Sequence, residues 1–213
     1  MAFDYKKEYK EFYFPKEKPN IVDIPKINYL AVRGSGNPNI IDGEYQKSIE
    51  LLYLVAYTLK MSYKGDYKIE GFFDYVVPPL EGFWWQEALE GKNYDKKDKL
   101  KFISSIRLPD FITKKDFAWA IEEVKLKKKT DCSLVEFFTY DEGLCVQCLH
   151  IGSYDDEQRT IKLMEEYARE NGYKTDITDF RYHHEIYLSD PRKCTMEKLK
   201  TVIRYPIKID KAC

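Results

Sequence analysis

Hydrophobic and polar positions along this chain follow strand and helix periods in an order that is written twice. The first copy opens on Ile27 to Gly34, an apolar strand ending in Arg33-Gly34-Ser35-Gly36. A helix is predicted from about Glu44 to Met61, with Ile49, Leu52, Tyr53, Ala56 and Leu59 on one stripe. Phe72 to Val77 reads as the next strand, closed by Pro78-Pro79 because proline cannot donate to a ladder. Lys101 to Leu108 reads as another, closed by Pro109. The second copy opens on Leu144 to Ile151, which ends in His150-Ile151-Gly152-Ser153. A helix from about Asp156 to Asn171 carries Ile161, Met164, Tyr167 and Ala168 on its stripe, with Ser153 as a start signal and Gly172 as a stop. His183 to Ser189 and Leu199 to Tyr205 complete the copy as strands closed by Pro191 and Pro206.

Between the copies, Lys114 to Lys128 reads as a helix capped by Thr113-x-x-Asp116, with Phe117, Ala120, Ile121 and Val124 buried. A strand at Leu134 to Tyr140 follows, and Asp141-Glu142-Gly143 reads as a hairpin turn into Leu144. The expected organisation is an N-terminal arm over 1–26 and a single domain over 27–213. That domain holds two pseudo-repeats, about 27–109 and 143–207, around an insert at about 110–142. The expected fold class is α+β, a duplicated strand–helix–strand–strand pattern with antiparallel sheet. Helices covering one face would leave an open, concave face as a central ligand groove.

The strand around Arg181-Tyr182-His183-His184-Glu185-Ile186-Tyr187-Leu188-Ser189-Asp190-Pro191-Arg192 is the most informative stretch. Alternation sets His184, Ile186 and Leu188 on one face, read as core, and His183, Glu185, Tyr187 and Ser189 on the other. The second face is expected to point into the open groove. On solvent, Glu185 is an ordinary surface acid. In a pocket, a carboxylate between a histidine and a tyrosine can neutralise a cation, order a water or act as a general base.

Composition narrows the partners. Charged residues make up 33% yet leave a formal net charge of -1, which argues against nucleic acid as a partner. Aromatics reach 15%, more than a simple core needs, and suit a pocket for a flat hydrophobic aromatic small molecule. Asp4, Lys6, Lys7 and Glu8 follow Met1 where a signal peptide would be apolar, and the longest apolar run, Leu51 to Tyr57, is too short for a bilayer. The expectation is a cytoplasmic protein with no membrane partner. Cys132, Cys145, Cys148, Cys194 and Cys213 are irregularly spaced, as reduced thiols are.

Other candidates carry weaker signals. Gly82-Phe83-Trp84-Trp85, if extended, sends its two tryptophans to opposite sides, so one can reach a groove. Trp119 lies off the buried stripe of its helix and is a pocket-wall candidate. Cys145-Val146-Gln147-Cys148 looks like a metal pair, but positions three apart in a strand face opposite ways, so no metal or other cofactor is expected. The Gly-Ser turns match no phosphate-binding fingerprint.

Three motifs together, Pro79-Leu80-Glu81-Gly82-Phe83-Trp84-Trp85, Gln147-x-x-His150-Ile151-Gly152-Ser153-Tyr154-Asp155 and His183 through Arg192, resemble the GyrI-like small-molecule-binding proteins. More narrowly, they resemble the stand-alone subfamily described as cyclopropanoid cyclopropyl hydrolases. The resemblance runs from Ile21 to Ile207. It implies binding of flat, lipophilic, often cationic compounds, with a central acid at Glu185. It also implies an aromatic cage that opens the cyclopropane of DNA-alkylating compounds. Glu185 is then expected to order or deprotonate the water, and Tyr187, a nearby tyrosine or His183 to donate to the dienone oxygen. Trp84, Trp85, Trp119, Phe138, Tyr140 and Tyr182 are the cage candidates. The alternatives are a non-catalytic drug-sequestering protein and a gyrase-inhibitor-like protein–protein module.

Overall fold

The structure, a computed structural model, describes residues 2–86 and 99–210. In chain order the elements are α1 (Tyr5–Glu8), α2 (Lys10–Tyr13), β1 (Asn20–Ile24), β2 (Ile27–Ser35), α3 (Glu44–Lys60), β3 (Leu80–Trp85), β4 (Lys101–Arg107), α4 (Lys114–Lys128), β5 (Glu136–Tyr140), β6 (Gly143–Ile151), α5 (Glu157–Glu170), β7 (Tyr173–Thr175), β8 (His183–Tyr187) and β9 (Lys200–Ile209). The fold is α+β, with antiparallel ladders throughout these strands. The chain divides into two compact units, Met1–Tyr5 with Ile27–Tyr140 and Lys6–Lys26 with Asp141–Cys213.

In the first unit the strands pair in the order β3-β4-β2-β5. Leu30, Val32 and Ile106 point toward α3 and α4 and bury with Leu52, Val55, Leu59, Ala120 and Val124. The alternate residues Tyr29, Phe83, Phe138 and Tyr140 form an aromatic cluster on the opposite face. Gly34 has no Cβ because Phe102, on the neighbouring strand, occupies that space. The expected cap of α4 is present. Thr113 Oγ1 accepts from the Asp116 N–H at 3.3 Å, and the Asp116 carboxylate accepts from the Thr113 N–H at 2.8 Å.

In the second unit the order is β8-β9-β6-β1, with β7 pairing the far end of β9. Ile161, Met164 and Ala168 of α5 bury against Val146, Cys148, Ile203 and Tyr205. The two units therefore repeat one path: strand, helix, strand, strand, with the first strand flanked by the last and by one extra strand.

Three expectations need correction. Phe72 to Val77 is not a strand; Tyr75 makes an isolated bridge to Phe3, and the strand is β3, beyond Pro78-Pro79. Prolines without N–H groups cannot start the ladder, so pairing begins at Leu80. Pro206 does not end the last strand, which runs to Ile209. A residue's N–H and C=O point to the same side, and the Pro206 carbonyl accepts from the Asp176 N–H. The missing donor thus falls between the end of β8 pairing at Arg204 and the start of β7 pairing at Ile207, where no ladder bond is lost. Asp141-Glu142-Gly143 is not a hairpin, since β5 pairs with β2 while β6 pairs with β1 and β9; the chain passes from one unit to the other here. Within the N-terminal arm, β1 extends the second sheet along β6. Cys132, Cys145, Cys148 and Cys194 are free thiols, and Cys213 lies outside the described residues.

Candidate functional site

Register decides which face Glu185 takes. Glu185 pairs with Ile203 and Tyr187 with Thr201, so His183, Glu185 and Tyr187 share the face on which Ile203 and Tyr205 meet α5. The expectation that they point to the face without helices is corrected. A ladder partner shares its neighbour's face, and Ile203 belongs to the helix-covered core.

On that face the three side chains converge. His183 Nε2 lies 3.1 Å from Glu185 Oε1, and the Tyr187 hydroxyl donates to Glu185 Oε2 at 2.8 Å. The His183 ring, 4% exposed, rests edge-on against Tyr205 at 4.9 Å. Glu157, the first residue of α5, is 7% exposed, and one ligand atom from each of Glu157, His183 and Glu185 lies within 4.8 Å of the others. Its place on the first turn sets its charge against the positive end of the helix dipole. Tyr154 stands edge-to-face with Tyr187 at 5.8 Å. Burial, then the Glu185 and Glu157 carboxylates, push its hydroxyl up to about 12, so at neutral pH it is a protonated donor.

The opposite face of the same strands is a buried polar network. His184 Nδ1 lies 3.0 Å from Glu142 Oε1, and Arg204 Nη1 donates to Glu142 Oε2 at 3.0 Å. Arg204 also donates to Gln147 Oε1 and to the Phe12 carbonyl, and the Gln147 amide donates to the Glu11 carbonyl. Burial pushes the Glu142 carboxyl up, but the charges and hydrogen bonds of His184 and Arg204 prevail and hold it at about 2. His184 was expected in an apolar core. It is buried, but as part of an ionic one.

The remaining candidates lie in separate places. Trp84, 7% exposed, packs on the helix-bearing face of its own sheet against Tyr45 of α3 and against Phe102, at 5.1 and 5.8 Å. Trp85, half-buried, alternates to the other face of β3. Phe138 and Tyr140 also lie on that other face, stacked at 5.7 Å, with the Arg33 guanidinium 5.1 Å over the Phe138 ring. Trp119 stacks on Tyr67 at 4.2 Å and packs against the first core instead of standing apart from it. Trp84, Trp119 and the Phe138–Tyr140 pair thus do not form one cage, because strand alternation and α4 distribute them to different surfaces. Tyr182 is buried next to the start of β8.

Glu157, Tyr154, Glu142 and Arg204 were not singled out from sequence. Arg204 had a visible signal, a lone cation inside the apolar run Val202-Ile203-Arg204-Tyr205. Glu157 had none, since an acid in a helical first turn is ordinary.

One face of β8 thus presents His183, Glu185 and Tyr187, with Glu157 of α5 beside them, on a duplicated α+β scaffold. The chain belongs to the GyrI-like small molecule binding domain family, whose model matches residues 17–208. No curated protein matches it. Among solved structures it is similar to a protein described as a hydrolase from Listeria innocua, at 42% identity and TM-score 0.88, covering 97% of this chain and 100% of that one. A second, an uncharacterized conserved protein from Listeria innocua, is 44% identical with TM-score 0.90 over 97% and 100% of the two chains. The C-terminal domain of EcmrR, at 13% identity and TM-score 0.51 over 91% and 98%, shares the fold alone.

Proposed function

We propose that the Glu185 centre binds a flat lipophilic compound and hydrolyses it, the substrate being a cyclopropane conjugated to a dienone, as in cyclopropanoid alkylating agents. One observation carries the reading. Glu185 is held by the Tyr187 hydroxyl on one oxygen and has His183 Nε2 3.1 Å from the other, in a partly buried setting with a second acid alongside. A carboxylate so oriented can place a water instead of wandering in solvent. The likeness to proteins described as hydrolases supports the same reading.

The chemistry asks for little. Water oxygen attacks the strained ring carbon, the ring C–C bond breaks, and its electron pair moves through the dienone to give a phenol. The proton leaving the water passes to Glu185 or, through it, to His183. The Tyr154 hydroxyl, kept protonated, donates to the dienone oxygen as charge develops there. Tyr187 is committed to Glu185 and serves as its positioning residue.

A sequestering binder would use the same carboxylates for charge recognition. The Tyr187 hydrogen bond favours that role too, since it holds the carboxylate in one orientation toward a cationic ligand. An absorbance and mass time course with a cyclopropane-dienone in large excess separates the two. Conversion of many equivalents with one water added per molecule supports the enzyme. A reaction that stops near one equivalent overturns hydrolysis in favour of a binder or a self-alkylating trap.

A further inference from the structure

Glu157, His183 and Glu185 form a set of two carboxylates and one imidazole, drawn from two elements and aimed at one point. Two buried or half-buried carboxylates this close repel each other unless positive charge stands between them. The aromatic groups around them are Tyr154, Tyr187 and Tyr205.

We propose that this trio is a binding site for a divalent first-row cation of the zinc, cobalt or manganese class. An imidazole with two carboxylates is a borderline donor set that suits these ions better than calcium or magnesium, which ask for oxygen alone. Bonds of about 2.0 to 2.2 Å place neighbouring ligand atoms roughly 3 to 3.5 Å apart. His183 Nε2 and Glu185 Oε1 already stand at 3.1 Å, and Glu157 is within 4.8 Å of both, so modest side-chain rotation closes the shell. Three protein ligands leave at least one position for water. The surroundings have the form of a supporting shell. Tyr187 fixes the second oxygen of Glu185, and Tyr205 fixes the plane of the His183 ring. The ion would exclude an organic cation from the same carboxylates.

The site stands on these distances and does not depend on hydrolysis, so the test uses no substrate. Cobalt(II) and zinc(II) are titrated into the full chain, with visible absorption for cobalt and calorimetry for zinc. The expected result is one ion per chain, with cobalt bands of a nitrogen–oxygen shell. Glu157→Gln and His183→Gln, verified as folded by circular dichroism and thermal melts, are each expected to lose at least tenfold in affinity. Cys194→Ser, at the partly exposed free thiol, is expected to change nothing. Absence of stoichiometric binding overturns the proposal. So does binding that survives in both variants, or a thiolate charge-transfer band that vanishes with Cys194→Ser. Should Glu157→Gln fail to fold, Glu157→Asp serves instead, with weakened but measurable binding expected, and unaltered binding counting against the site.

Discussion

The same point on the repeated path is filled in opposite ways in the two units. In the first, β3 turns Gly82 and Trp84 toward its helix-bearing face, and Trp84 closes against Tyr45 and Phe102 as ordinary aromatic core. In the second, β8 turns His183, Glu185 and Tyr187 toward the corresponding face, beside Glu157 and Tyr154. The scaffold does not require carboxylates there, because its counterpart places Trp84 and the buried Ser48–Ser104 pair on that face. Burying acids costs free energy that an indole does not. A duplicated fold thus supplies its own control, and the departure of one copy from the other sets the Glu185 position apart as the one to test.

The largest expected effect breaks that contrast at its centre. Glu185→Gln keeps the shape but removes the charge, and turnover of a cyclopropane-dienone should fall by on the order of a hundredfold or more, while the melting temperature stays near that of the parent. Ligand binding read by calorimetry should largely survive. An unaltered rate would remove Glu185 from the reaction. Trp84→Ala is the counterpart. It should act through stability, costing about 3–5 kcal/mol in urea unfolding as a buried aromatic lost from a packed cluster.

The polar network on the other face of the second unit sharpens the comparison, since the first unit has an aromatic cluster on its own opposite face. Glu142 and Arg204 are each 2% exposed in their side chains. Arg204→Leu leaves the Glu142 charge buried with His184 alone and should destabilise by about 3–5 kcal/mol, measured by urea titration. A double replacement, Glu142→Leu with Arg204→Leu, should cost less than the single one, because no orphan charge remains.

The periods of the sequence carried the repeat, the α4 cap and the alternation along β8, because each of these is local. A capping box needs only Thr113 and Asp116, and alternation needs only neighbours. What was not legible depends on partners distant in sequence. The face of Glu185 follows from its pairing with Ile203, and Glu157 joins it only because α5 begins beside β8. Glu142 looked like a turn residue because its partners, His184 and Arg204, lie 42 and 62 positions on. The aromatics misled for the same reason. Their number is a property of composition, while their grouping is a property of register.

Acid titration tests the ionic network against the rest. The Glu142 carboxyl sits at about 2 when folded, below its ordinary 4.5. A depressed carboxyl contributes stability that is complete above the unfolded value and is lost as pH falls toward the folded one. The urea midpoint should therefore drop between pH 4.5 and 2, and Glu142→Gln, though less stable at neutral pH, should show a shallower drop. Asp116 and Asp176, also held low, leave a residual slope in the variant. An identical slope in variant and parent would show that the network does not titrate with folding.

The smallest expected effect compares the starts of the two helices. In α4 the Thr113 hydroxyl and the Asp116 carboxylate satisfy each other's backbone N–H groups, so Thr113→Ala leaves the Asp116 N–H without its side-chain acceptor and should cost about 1 kcal/mol. In α5 the N-cap Asp156 makes no side-chain cap bond, and the chain enters through a single tight turn in which Ser153 accepts from the Asp155 N–H. Asp156→Ala should therefore change stability by only a few tenths of a kcal/mol. Equal costs at the two positions would mean that Asp156 caps α5 in solution. The first turn carrying Glu157 would then be anchored by a side chain instead of being free to adjust around a bound cation.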